Sequence, residues 1–173
     1  MRSLRREWGW SWGRGVRPVA LAAVGFTLLT LAVFRPTLAE LAHTLPAFNG
    51  SSADALLLVW ATSHVSQTLL TSPGHLFDAP IFSPIPGTLA LGDHMIGQAL
   101  LGWPIWWATH NPLLEFNLLS LASYVASATA MFAYTRAVVG GGMLPALAAG
   151  LVFAFTPYRY HSPLWLQVLW TAF

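Results

Sequence analysis

Cysteine and lysine are both missing from this 173-residue chain, and only 8% of its residues are charged. Without cysteine there can be no disulfide framework, no thiolate nucleophile and no Cys-ligated zinc. The compartment stays open, because an oxidising one permits disulfides without requiring them. All eight basic residues are therefore arginine, a bias expected of a GC-rich bacterial genome. A soluble domain carries about 25% charged residues, so much of this surface should face a solvent other than water. With 55% hydrophobic residues and a positive mean hydropathy, that solvent is lipid. Nine Trp and ten Phe suit such a surface, because amphipathic rings settle at headgroup level. Other signals are also missing: there is no phosphate-binding Gly loop, no nucleophilic Ser elbow, no internal repeat and no low-complexity segment.

The basic balance comes largely from one end. Within residues 1–17, Arg2, Arg5, Arg6, Arg14 and Arg17 stand against Glu7, with Trp8, Trp10 and Trp12 among them. Beside an apolar span this is a cytoplasmic anchor at the membrane surface, and no nucleic-acid partner is expected. Residues 18–34 are uncharged and almost wholly apolar; as a helix they cover about 25 Å, enough for a first span with flanking help. A cleaved signal peptide competes, with Thr37-Leu38-Ala39 as a passable cleavage site, but the apolar run is long and more such runs follow.

Charge then sets the expected orientation. From Pro36 to Asn111 there is no arginine, whereas Glu40, Asp54, Asp78 and Asp93 all fall there. Positive residues stay on the cytoplasmic side, so residues 35–112 are expected to form an extracytoplasmic loop. Residues 51–71 predict a helix lying against the membrane, with Leu57, Trp60, Ala61, His64, Val65 and Thr68 on one side. Thr62, Ser63, Ser66, Gln67 and Thr71 line another side. The prolines of residues 77–87 exclude regular helix, and a second interfacial helix is expected from Asp93 to Thr109, bent near Pro104. A second span is expected over residues 113–135, a cytoplasmic turn over 136–143 and a third span over 144–157. An outer loop over 158–163 and the start of a fourth span at 164 follow. The chain stops inside that apolar run, the pattern expected of a fragment of a longer protein. The fold class expected is all-α, a polytopic transmembrane helical protein in the inner (plasma) membrane with its N-terminus in the cytoplasm.

The groups able to carry chemistry are few. Asp54 sits in Ser51-Ser52-Ala53-Asp54, the pattern of a capping box, and Asp93 follows Gly92 at an expected helix start. Each can therefore be a cap. Two acids at the starts of two interfacial helices could also converge at the membrane face, as a general base on a hydroxyl or as ligands for a divalent cation. His94 beside Asp93 could assist a phosphate or a metal, while Asp78 in the proline-rich stretch is expected to cap a turn. The five loop histidines, His43, His64, His75, His94 and His110, match no zinc spacing. Arg159 breaks the positive-inside pattern, and an outer arginine is more often kept where it meets an anion. Asn49-Gly50-Ser51 matches a glycosylation sequon, meaningful only in a eukaryotic secretory lumen.

The order of these features resembles the membrane-embedded glycosyltransferases of the C superfamily, and most of all the lipopolysaccharide-core and arabinofuranosyl-type transferases. The resemblance rests on Asp54 with Trp60 and His64, on Leu76-Phe77-Asp78-Ala79-Pro80-Ile81-Phe82-Ser83-Pro84, and on Thr88-Leu89-Ala90-Leu91-Gly92-Asp93-His94. It continues through Asn111-Pro112, Asn117, Phe153-Ala154-Phe155-Thr156-Pro157-Tyr158-Arg159 and Leu166-Gln167. It covers nearly the whole chain, with loose motifs. It implies inverting transfer of a sugar from a polyprenyl-phosphate donor to an extracytoplasmic acceptor. Asp54 would be the first-loop acid, acting as base or metal ligand. Asp93 would be the acid before the histidine, and His94, Arg159 and Gln167 would bind substrate; Mg or Mn would be the metal, held by Asp54 and Asp93. Two positions depart from the family pattern: Ala55 follows Asp54 where many members carry a second acid, and Trp165 stands where a histidine is common. The competing expectation is a non-catalytic polytopic protein, a transporter component or an envelope-assembly scaffold. A transporter should bury polar groups mid-span, whereas the acids here are expected at the surface.

Overall fold

The computed structural model describes residues 12–45, 52–139, 142–161 and 166–170. Among them every regular element is helical. The first helix, α1 (Trp12–Val33), begins six residues before the expected span and carries Pro18 inside it. Ala22, Phe26 and Thr30 recur every fourth residue and are buried, while Leu21, Val24, Leu28 and Leu31 stay exposed. Thr30 returns its hydroxyl to the Phe26 carbonyl at 2.8 Å, so this polar side chain is satisfied inside its own helix. A short turn of helix, α2 (Arg35–Leu38), follows Phe34.

The next helix, α3 (Ser52–Thr71), lies where the spacing placed it, and its buried residues come from both expected sides. Ala55, Leu58, Val59, Ala61, Thr62, Val65 and Ser66 are buried, whereas Leu56, Leu57 and Leu70 are exposed. The polar line through Thr62 and Ser66 therefore faces the protein interior. Their size explains it: small hydroxyl side chains let helices approach closely and find acceptors on the way. Thr62 donates to the Leu58 carbonyl at 2.8 Å. Residues 72–92 form turns and two short 3-10 segments, Pro73–His75 and Thr88–Leu91. Asp78 holds this stretch together. One carboxylate oxygen accepts from the Gly87 amide at 2.8 Å and the other meets His75 Nδ1 at 2.9 Å, the turn-capping role its position suggested.

The fourth helix, α4 (Ile96–Thr109), starts three residues later than expected and keeps Pro104 inside it. Both of its ends are set by left-handed residues, Met95 (φ 53°) and His110 (φ 52°). Asn111 then caps α5 (Pro112–Tyr134), accepting from the Leu114 amide at 2.9 Å, with Pro112 in the first turn where a missing N–H is harmless. A π-helical turn, Thr135–Val139, extends it.

Two short helices complete the described chain after α6 (Met143–Ala154). The expected third span over 144–157 is thus a helix of 12 residues, about 18 Å long. It stops because Pro157 cannot continue it; Phe155 and Thr156 break the helix, and α7 (Pro157–His161) restarts with the proline in its first turn. The last, α8 (Leu166–Trp170), lies in the apolar run expected to open a fourth span.

The spine is α5. Near its start Phe116 and Leu119 pack with Val59 and Val65 of α3, Met95 and Ala99 before and within α4, and Leu166 of α8. Further along, Ala128 and Phe132 pack with Ala22 and Phe26 of α1 and with Ala146 and Ala154 of α6. Between the two, Tyr124 joins Phe34 and Leu169. The segment after α2 is tied to the same spine. Asn117 Nδ2 donates to the carbonyls of Leu41 (2.7 Å) and Thr44 (2.8 Å), and Asn111 Nδ2 donates to that of Ala42 (2.9 Å). By length and composition, α1 and the α5 helix with its π turn could each cross a membrane.

Candidate functional site

Three of the residues singled out in the sequence come together ahead of α4. Asp93 is not the helix cap, since Met95 holds that position without any side-chain bond. Its carboxylate is exposed and accepts a hydrogen bond of 3.4 Å from Gln167 Nε2 on α8, 74 positions along the chain. His94, also exposed, accepts at Nδ1 from the Ile96 amide at 3.4 Å and sets its ring edge-on to Phe77, centroids 6.1 Å apart. The start of the proline-rich stretch, the approach to α4 and the last described helix thus meet at one surface point. An exposed carboxylate oriented by an amide can accept a proton or a hydrogen bond from an incoming hydroxyl.

Arg159 lies apart from that cluster. It is 6% exposed and sits on α7 with its guanidinium carbon 5.3 Å from the Tyr124 ring centroid. Nη2 donates to the Ser123 carbonyl at 3.4 Å, and Tyr124 Oη returns a 2.7 Å bond to the Arg159 carbonyl. Nε is buried with no acceptor among the described residues. Among the described residues no carboxylate pairs with it, and burial pushes its pKa below the usual arginine value. A buried guanidinium with an open donor is suited to an anion.

Asp54 stands exposed in the first turn of α3 and makes no side-chain bond among the described residues. Its capping partner Ser51 lies outside them, as do the Arg-rich residues 2–6 and part of the Gly140–Gly142 turn. No hydrogen bond or ion pair links Asp54 to Asp93, and no three His, Asp or Glu side chains among the described residues group as a cation site.

The acid that sequence reasoning passed over is Glu115. It falls in the expected second span of a protein whose acids were expected at the surface; its side chain is fully buried. Ser66 Oγ of α3 lies within hydrogen-bond reach of its Oε1, at 2.5 Å, and Oε2 has no partner among the described residues. Gly102 of α4 leaves the room: a methyl there would stand 2.6 Å from Oε1. One signal was available, an ionisable residue in an otherwise apolar helix, which marks function by default in a membrane segment.

The chain matches no family model, no curated protein and no solved structure.

Proposed function

We propose that this chain belongs to an integral-membrane glycosyltransferase that moves a sugar from a polyprenyl-phosphate donor to an extracytoplasmic acceptor. The reading places it in the inner (plasma) membrane as a multi-pass protein with a cytoplasmic N-terminus. The observation that carries the proposal is the exposed Asp93 carboxylate, held by Gln167 beside His94. In the reaction a carboxylate, Asp54 in this reading, takes the proton of the acceptor hydroxyl. The acceptor oxygen forms a bond to the anomeric carbon as the bond to phosphate breaks. The polyprenyl phosphate leaves with the electron pair. Asp93, His94 and Gln167 orient the donor, and Arg159 pairs with the phosphate, where charge accumulates as the bond breaks.

The test is sugar transfer in liposomes by the full-length protein carrying Asp54→Asn, Asp93→Asn or Arg159→Gln. Each change should lower turnover by about 10²-fold or more, the span expected for loss of acid–base or oxyanion help. Unchanged transfer by Asp54→Asn would remove it from the site.

A second reading has one observation in its favour. Glu115, Asn117, Ser120, Ser123 and Ser127 are all buried along α5, the polar interior expected of a transporter component rather than of a scaffold. Binding of a polyprenyl-phosphate sugar excludes a scaffold, and sugar transfer in liposomes separates the enzyme from a transporter component, which predicts none.

A further inference from the structure

Glu115 has no part in the proposed sugar transfer, and its surroundings set a problem of hydrogen counting. The Ser66 hydroxyl lies 2.5 Å from Glu115 Oε1 and 3.4 Å from the Ala99 carbonyl oxygen. A serine hydroxyl brings one hydrogen and accepts through its lone pairs. With an ionised Glu115, that one hydrogen faces two acceptors, and the carboxylate's Oε2 is buried with no donor among the described residues. With a hydrogen on the carboxyl, Glu115 donates to Ser66 and Ser66 donates to Ala99. Each contact then holds one hydrogen, and the oxygen left alone is a neutral carbonyl.

Among the described residues no charged side chain bonds to the carboxyl; Glu40 and His43, on the segment tied to α5 through Asn111 and Asn117, are exposed. Over Ile96–Thr109, α4 has no ionisable side chain. On α3 the ionisable groups are Asp54, which is exposed, and His64, whose ring stacks on Trp60 at 5.4 Å. The other ionisable groups of α5 are Tyr124 and Tyr134, and the described part of α8 has none. Leu119, like Glu115, lies against Gly102 of α4. An isolated carboxylate in such a place is among the most expensive groups to bury.

We infer that Glu115 is a proton-binding site, a neutral carboxyl bonded in series through Ser66 to the Ala99 carbonyl, which clasps α3, α4 and α5 together. Loss of the proton to water leaves an anion at the junction of three helices and loosens α4 from its neighbours. The inference stands whether or not the chain transfers sugar.

The chain contains three glutamates, Glu7, Glu40 and Glu115, which makes the test direct. The full chain is labelled with carbon-13 at the glutamate carboxyl and its resonances are followed against pH in detergent micelles. One should remain at the carboxylic-acid position at neutral pH and be lost in Glu115→Gln. If that variant does not fold, Glu7→Gln and Glu40→Gln identify the remaining signal by elimination. Absence of any carboxylic-acid resonance at neutral pH would overturn the inference. The clasp is read by amide exchange in α4. After correction for base catalysis, protection should fall at alkaline pH in the wild type and hold in Glu115→Gln. Equal loss in both would overturn the coupling.

Discussion

Gly150 on α6 lies against the backbone carbonyl of Ala128 on α5, so near that a methyl at 150 would stand 2.7 Å from that oxygen. The same methyl would meet the Phe26 ring of α1 at 2.7 Å. Three helices therefore converge on a position with no room for a side chain, the small-residue contact by which membrane helices approach. A backbone carbonyl cannot swing aside. Gly150→Ala should destabilise the chain by about 1–3 kcal/mol, as over-packing does. Gly97, which has nothing within 4 Å of the corresponding point, provides the control. Gly97→Ala should be neutral or stabilise by up to about 1 kcal/mol. Reversible denaturation in mixed micelles compares the two.

Asn117 ties the segment after α2 to the spine through two bonds from one amide. Asn117→Leu keeps the volume and strands the carbonyls of Leu41 and Thr44, so it should cost about 1–3 kcal/mol. Asn111→Ala removes a helix cap as well as the bond to Ala42, and a cap alone contributes about 1 kcal/mol. Limited proteolysis should cut residues 39–45 faster in either variant than in the wild type.

His75 and then the Gly87 amide hold the Asp78 carboxyl below the usual aspartate range. The sign follows from linkage. The unfolded chain binds that proton more readily, so the stabilisation is complete above the ordinary value of about 3.9 and is lost as pH falls through the lower folded value. The Gly87 amide resonance should report a transition below that ordinary value. Asp78→Asn keeps an acceptor for Gly87 and should abolish the transition.

His64 behaves in the same sense for a different reason. Burial lowers the pKa of its imidazole from the ordinary value, and Nε2 is buried without a partner. The neutral ring stacked on Trp60 therefore stabilises the fold fully above about 6.5, and this is lost as pH falls from there through the folded value. His64→Phe preserves a stacking ring without a charge. The melting temperature of the variant should vary less between neutral pH and mild acid than that of the wild type.

The helices were legible because hydropathy, proline and spacing act within one stretch of chain. Residues 52–71 and 112–134 follow the expected lengths closely, and the capping asparagine before Pro112 fixes where α5 begins. The orientation of α3 was not legible. Thr62 and Ser66 are polar, and only their partners, on their own helix and across on α4 and α5, show why they turn inward. The same limit hid Glu115. An acid in a helix's first turn ordinarily serves the helix dipole in water, and its burial depends on two other helices closing over it. Of the expected site, the Asp93–Gln167 contact spans 74 positions, a distance no local pattern covers.

Both ends of α4 turn on side-chain-bearing residues in the left-handed region, a conformation that each holds at a penalty of order 1 kcal/mol. Met95 is 3% exposed in the core, and the His110 ring lies 4.9 Å from that of Trp106. A glycine at either position would relieve the backbone and forfeit the contact. The helix is therefore bounded by residues that anchor it as well as turn it, and its limits cannot be redrawn without unseating what they grip.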